Sequence, residues 1–240
     1  MIRYRAIAEE LRASFARTNY PDGHPLPSEH ELCAAYGVSR TTIRAALDWL
    51  ERQRLVRRRQ GSGTFYKSPA IAKRLGSVVD FHTEALAAGR KPRTEVLSLA
   101  VRPPSPAEAV VFGAKDAKGG IAELTRIRYL DGEPGVLQRS YLSAALLGRV
   151  KAGALHDKSL YAFLAERRGV KVHSIEETLE PALAEGEAAE LLRVPAGTPV
   201  FRSHRMAREA GGRLIEISDN LVRGDIYRFT VRRNAGEAES

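Results

Sequence analysis

One stretch constrains this chain more than any other: Leu26 to Thr64, reading LPSEHELCAAYGVSRTTIRAALDWLERQRLVRRRQGSGT. Ser28 stands three residues before Glu31, the spacing of a capping box, and predicts a helix running to about Tyr36. Gly37 can take the left-handed conformation that closes such a helix. Ser39 offers a second N-cap, and the pattern predicts a following helix from Arg40 to about Gln53. Two short helices joined by a tight glycine-containing turn make a helix-turn-helix unit.

The second of these helices has two faces. Ile43, Ala46, Leu47 and Leu50 recur at helical spacing and are expected to pack inward. Arg40, Thr41, Thr42 and Arg44 crowd the first turns, which in this motif approach base edges. An arginine can donate two parallel hydrogen bonds to guanine, a geometry that lysine lacks. Taken alone, the same arginines fit a solvated basic face. The segment directly after the helix favours nucleic acid. Leu55–Arg59 reads as a strand carrying Arg57, Arg58 and Arg59, residues 60–63 as a turn, and Thr64–Tyr66 as a returning strand. Such a basic hairpin suits a wing along a phosphate backbone, with Gly61 and Gly63 allowing close approach at its tip. Residues 40–67 hold eight Lys or Arg and two acids, so a net +6 of the chain's +9 is concentrated there.

These motifs carry a resemblance. Tyr4 to Lys67 resembles the DNA-binding domain of the GntR family of bacterial transcription regulators, through YRAIAEELR, LPSEHEL, YGVSRTTIRAAL and QGSGTF. The resemblance implies that Arg40 and Arg44 read bases, Thr41 holds phosphate, and the Gly63 backbone reaches toward the minor groove. Ser39, Thr42, Arg58 and Gly61 complete the expected DNA-binding set. His30 stands where the family usually has arginine, and a mostly neutral imidazole makes a weaker phosphate contact.

Composition bounds the rest. The 240 residues suffice for one or two domains, and 43% hydrophobic with 28% charged residues is an ordinary globular balance. No apolar run has transmembrane length and the charged N-terminus lacks a signal-peptide core, so a cytoplasmic protein without a membrane partner is expected. Cys33 is the single cysteine, which excludes an intrachain disulfide, and the six histidines make no metal-ligand spacing with it. Neither metal nor cofactor is expected.

Punctuation divides the chain into four segments: a DNA-binding domain over 1–67, a linker over 68–75, a second domain over 76–234 and a frayed tail over 235–240. Within the second domain, helices are expected at 81–88, after Ser105, from Ser159 to Arg168 and at 185–192. Strands are expected at 94–102, 121–130, 135–142, 170–179, 200–210, 213–222 and 227–232. Asp131-Gly132 is a strong hairpin signal. Few short helices among many strands favour an α+β domain with a mostly antiparallel sheet.

This order resembles the effector-binding domain of the HutC branch of the same family, through TRIRYLDGEP, Ser159–Tyr161 and EISDNLVRGDIYRF. The resemblance implies a chorismate-lyase-like fold that binds a small metabolite and changes DNA affinity. Arg126 and Arg128 lie two apart on one strand, hence on one face: toward solvent they are surface charges, toward a pocket they converge on an anion. Ser159, Tyr161, Glu216, Ser218 and Tyr227 join them as candidate ligand residues, each with a plain structural alternative as cap, polar strand face or core. Phe81, His82 and Gln138 follow by resemblance. The expected partners are a palindromic double-stranded DNA, a small anionic or carboxylate-bearing effector, and a second copy of the chain. A lyase-like enzyme acting on a small carboxylate is the alternative reading, although no catalytic residue set stands out.

Overall fold

The structure, a computed structural model, describes residues 3–18, 20, 23–74 and 81–231. The chain divides into two compact units, Met1–Ala70 and Ile71–Ser240.

In the first unit, α1 (Arg3–Thr18), α2 (Glu29–Tyr36) and α3 (Arg40–Arg52) precede a hairpin of β1 (Val56–Arg59) and β2 (Gly63–Tyr66). The apolar face that the periodicity marked on α3 meets residues of α1, α2 and the hairpin in one core. Ile7, Leu11 and Phe15 of α1 join Leu32 of α2, Ile43, Leu47 and Leu50 of α3, and Val56 and Tyr66 of the hairpin. Ile43, Leu47 and Leu50 are fully buried, so truncating any of them to alanine costs about 2–5 kcal/mol. Both ends of α2 are closed as their residues predict. Ser28 and Glu31 form the reciprocal capping box, and Gly37 stops the helix at φ 58°.

The second unit contains β3 (Ile71–Arg74), α4 (Phe81–Ala87), β4 (Pro92–Arg102), α5 (Pro106–Phe112), α6 (Ala114–Ala117), β5 (Ile121–Leu130), β6 (Glu133–Ser143) and α7 (Ala144–Leu147). After a 3-10 turn at Ala152–Leu155 come α8 (Leu160–Arg168), β7 (Ser174–Ala184), α9 (Gly186–Leu191), β8 (Thr198–Arg208), β9 (Leu214–Arg223) and β10 (Tyr227–Thr230). Six strands make one antiparallel sheet in the order β4-β5-β6-β9-β8-β7. The architecture is α+β, as expected. Asp131 (φ 51°) and Gly132 (φ 86°) turn β5 into β6, the positive-φ pair that a two-residue hairpin demands.

Two expectations are corrected. The stretch read as a linker contains β3, which pairs in parallel with β10. Four residues with two basic side chains give no alternation to read, and their partner lies about 150 residues downstream. β10 therefore closes this two-stranded ribbon and not the main sheet. Leu75 and the tail 235–240 lie outside the described residues. The strand expected at 170–179 is displaced to Ser174–Ala184, because Val170 and Val172 pack into the apolar core ahead of it. Pro181 does not end that strand, since β7 is the sheet's edge and a missing N–H costs nothing on its open side.

Register decides which side chains share a surface. Arg126 pairs with Gln138, Gln138 with Asn220, and Asn220 with Ser203, so one polar row crosses β5, β6, β9 and β8. Along β5, Leu124 belongs to one apolar cluster with Leu160, Phe163 and Leu164 of α8, and Leu130 to another with Ala85, Val222 and Tyr227. Arg126 and Arg128 lie between them.

Candidate functional site

Two sites stand in separate units. In the first, Ser39 caps α3, its Oγ accepting from the Thr42 N–H at 3.3 Å and bonding the Thr42 hydroxyl at 2.9 Å. This places Arg40, Thr41 and Arg44 on exposed surface over the first turns. The two arginines share one acceptor: Arg40 Nε donates to Glu29 Oε2 at 2.7 Å, and Arg44 Nε to both Glu29 oxygens at 3.0 and 3.1 Å. The Arg40 bond, opposed by partial burial, holds the Glu29 carboxyl below its ordinary pKa. α2 thus presents a carboxylate that sets the two guanidiniums side by side. His30 is exposed on α2. Gly61 and Gly63 sit at the wing tip with φ 72° and 108°, where any side chain is strained although the space around them is open.

Arg58 differs from the other expected DNA-binding residues. It turns back onto α3, with Nη1 2.6 Å from Asp48, Nη2 donating to Arg44 O at 3.0 Å, and its backbone N–H donating to Glu51 Oε1 at 3.0 Å. Strand alternation explains this: Val56 and Arg58 share the face toward the helix, leaving Arg57 and Arg59 exposed. Arg58 is the brace between wing and recognition helix, and the outward cations are its two neighbours.

In the second unit the polar row floors a cavity of about 630 Å³, its open mouth included. Eight of the ten sequence candidates line it: Phe81, Arg126, Arg128, Gln138, Ser159, Tyr161, Glu216 and Tyr227. Two do not. Ser218 is fully buried beneath the lining, where its Oγ accepts from Asn220 Nδ2 at 3.2 Å. His82 packs edge-on against Phe81, with ring centroids 5.5 Å apart, outside the lining. Sequence reasoning missed Asn220, Ser203, Arg205 and Glu84, all of which line the cavity. Alternation on β8 and β9 was the available signal, but without register it does not say which alternate set faces inward.

The cavity's electrostatics are unbalanced. Arg126 is 1% exposed; its Nη2 donates to Gln138 Oε1 at 3.1 Å, while Nε and Nη1 have no hydrogen-bond partner. Burial, and then the like charge of Arg128, pulls the Arg126 pKa down to about 9, so the guanidinium is still charged at neutral pH but at a desolvation cost. Arg128 donates to the same Gln138 oxygen at 2.7 Å, and its guanidinium lies 5.0 Å from the Phe81 ring centre. On β9 of the same sheet, Glu216 is 2% exposed; Oε2 accepts the Tyr161 hydroxyl at 2.5 Å, while Oε1 has no partner. Burial, and then the Glu216 charge, raises the Tyr161 pKa, keeping it a donor. Arg223, also on β9, does not pair with Glu216: it forks onto Asp225 at 2.9 and 3.0 Å. Ser159 both caps α8, accepting from Ala162 N–H at 3.3 Å, and lines the cavity. Among the described residues, no group of histidine, cysteine or carboxylate side chains is arranged to hold a metal ion, and no helix is long and apolar enough to cross a membrane.

A winged helix-turn-helix in one unit and a charged cavity in an α+β second unit define a DNA-binding transcription regulator with an effector domain. The chain belongs to the gntR family of bacterial regulatory proteins: that family's profile matches residues 3–65, and the UTRA domain profile matches residues 87–228. It is similar to the HTH-type transcriptional repressor NagR of Bacillus subtilis, 26% identical over 226 residues, covering 94% of this chain and 92% of the relative. It is 31% identical over 229 residues to the HTH-type transcriptional regulator Rv0792c of Mycobacterium tuberculosis, covering 94% and 83%. Among solved structures, PhnF from Mycobacterium smegmatis superposes with a TM-score of 0.68 at 28% identity, covering 95% of this chain and 99% of that one.

Proposed function

We propose that the chain is a homodimeric, cytoplasmic repressor whose affinity for a palindromic operator changes when a small anionic metabolite occupies the cavity of the second unit. The observation that carries this reading is Arg126: a fully buried guanidinium in the cavity wall, with two nitrogens lacking a hydrogen-bond partner, has an unmet demand for an anion. Arg128, Ser159, Tyr161 and Gln138 lie around it as further contacts. At the other site, Arg40 and Arg44 read base edges, Thr41 holds phosphate and the Gly63 backbone approaches the minor groove, with His30, Ser39, Thr42 and Gly61 in support. Two-fold pairing sets two recognition helices into successive major grooves. The cavity acts as a sensor and not as a catalytic centre. For occupancy to change DNA affinity, the effector must bind the DNA-competent and DNA-incompetent arrangements unequally.

The test is a thermal-shift screen of carboxylates, amino acids and sugar phosphates on the full chain, each hit being retested for operator affinity at fixed salt. A compound that raises the melting temperature and changes operator affinity is the expected result. Stabilisation without any change in DNA affinity, together with turnover of the compound, overturns the sensor reading in favour of catalysis.

A further inference from the structure

The cavity holds a separated pair of opposite charges. Arg126 and Glu216 are both buried in its wall, 1% and 2% exposed, and both carry unpartnered polar atoms: Nε and Nη1 on the cation, Oε1 on the anion. They do not form an ion pair with each other; the bonds they make are to neutral groups, Gln138 and Tyr161. Burying two charges without joining them is among the most costly arrangements a core can hold, since each loses hydration and gains no counter-charge contact. The neutral partners fix the separation. Gln138 Oε1 holds both Arg126 and Arg128 from β6, while Tyr161 of α8 holds Glu216 by its Oε2.

A third unmet group lies in the same wall. Asn220, 5% exposed, donates Nδ2 to the Ser203 carbonyl oxygen at 3.1 Å and to Ser218 Oγ at 3.2 Å. A backbone carbonyl only accepts, so the amide cannot be turned over without setting oxygen against oxygen. Its Oδ1 is thereby left as an acceptor without a partner. The cavity thus has unused cationic donors in one place and unused acceptors, one of them a full negative charge, in two others.

We propose that the effector is an amine-bearing anion, its anionic group on Arg126 and Arg128 and its ammonium on Glu216 Oε1, with Asn220 Oδ1 accepting from a further N–H or O–H of the same molecule. This rests on the sensor reading above and narrows it. A plain dicarboxylate satisfies the arginines and is repelled by Glu216. A hydroxy acid satisfies the hydrogen bond at Glu216 but brings its carboxylate no contacting counter-charge. An ammonium group meets both demands at once.

The test uses the full chain and matched probes. Amino acids, ω-amino acids and phosphoethanolamine are titrated by calorimetry, each against the analogue in which hydroxyl replaces the amine. The expected result is an amine-bearing probe binding at least tenfold more tightly than its hydroxyl analogue. In Glu216→Gln, which keeps an acceptor for Tyr161 and removes the charge, that ratio should fall toward one. The melting temperature of the ligand-free variant shows whether it is folded; if it is not, the pH dependence of binding by the unsubstituted chain replaces it, with affinity lost as the probe's amine deprotonates. The proposal is overturned if hydroxyl analogues bind as well as the amines, if the ratio survives in Glu216→Gln, or if no amine-bearing anion binds at millimolar concentration. Operator binding by the ligand-free chain, measured in parallel, separates these outcomes: intact DNA binding leaves the regulator reading standing while the ligand class fails.

Discussion

The molecule uses arginine in two opposite ways. On α3 the guanidiniums of Arg40 and Arg44 are exposed, share the Glu29 carboxylate and keep most of their hydration. In the cavity Arg126 is dehydrated and half-partnered. The difference follows from the ligands. DNA is a large polyanion that brings many weak contacts, and its affinity grows by releasing counterions from charges already in water. A small metabolite makes few contacts, so each has to be strong, and strength comes from a low-dielectric wall prepared in advance. The exposed pair is cheap to maintain and individually weak. The buried one costs the free protein desolvation, which the proposed effector would offset.

The sharpest way to break that contrast is Arg126→Met. Removing a buried guanidinium that lacks its full hydrogen bonds should stabilise the ligand-free chain by roughly 1–3 kcal/mol while abolishing stabilisation by any anionic effector. Thermal denaturation with and without ligand checks both, and a less stable variant contradicts the account of the cavity. Next in size, Arg40→Ala should weaken operator binding by about 1–3 kcal/mol and relax preference at one base position, read by competition against single-base operator variants. Equal loss on all sequences would make Arg40 a phosphate contact instead.

A smaller effect separates the wing's arginines. Arg58→Ala should cost the first unit roughly 1 kcal/mol, because the bonds to Asp48 and the Arg44 carbonyl are lost. Arg57→Ala should stay within about 0.5 kcal/mol in stability yet lower the salt slope of DNA binding by about one. Denaturation and salt titration of the two variants should therefore give opposite patterns. The smallest effect concerns a surface pair. Arg102 forks onto Glu108 at 2.7 and 2.8 Å, and this bond holds the Glu108 carboxyl down at about 2. A depressed carboxylate contributes stability that is fully present above its ordinary pKa of 4.5 and is lost as pH falls toward 2. Glu108→Gln should thus be less stable than the parent by under about 1 kcal/mol at neutral pH, with the gap closing between pH 4.5 and 2 in acid titrations followed by circular dichroism. A gap that persists at pH 2 would assign the effect to packing.

The two regions also differ in how far they can be read from residues alone. On the DNA-reading side the signals are local: Ser28 with Glu31, Gly37, Ser39, and the spacing of Ile43, Ala46, Leu47 and Leu50 each act within four residues. Helix ends and buried face came out within about one residue. Arg58 is the exception there, because the side of a two-stranded ribbon that meets the helix is a tertiary fact. In the second unit Arg126 and Arg128 were placed on one face by alternation, but whether that face met water or a cavity depended on α4 and α8 covering it. Asn220 and Ser203 were passed over because nothing near them in the chain distinguishes a cavity wall from a polar strand.

Residue order alone is enough for the helix-turn-helix with its caps, the basic wing, the α+β class, and the hairpin at Asp131-Gly132. Each of these is encoded in contacts between near neighbours or in periodicity along one element. Folding in three dimensions was needed to pair β3 with β10, to run β7 on through Pro181 at an open edge, and to bring Arg126, Gln138, Asn220 and Ser203 into one row. The reason is that strand register joins residues far apart in the chain. The burial that turns ordinary arginines and glutamates into an unsatisfied, selective cavity exists only once those distant strands have met.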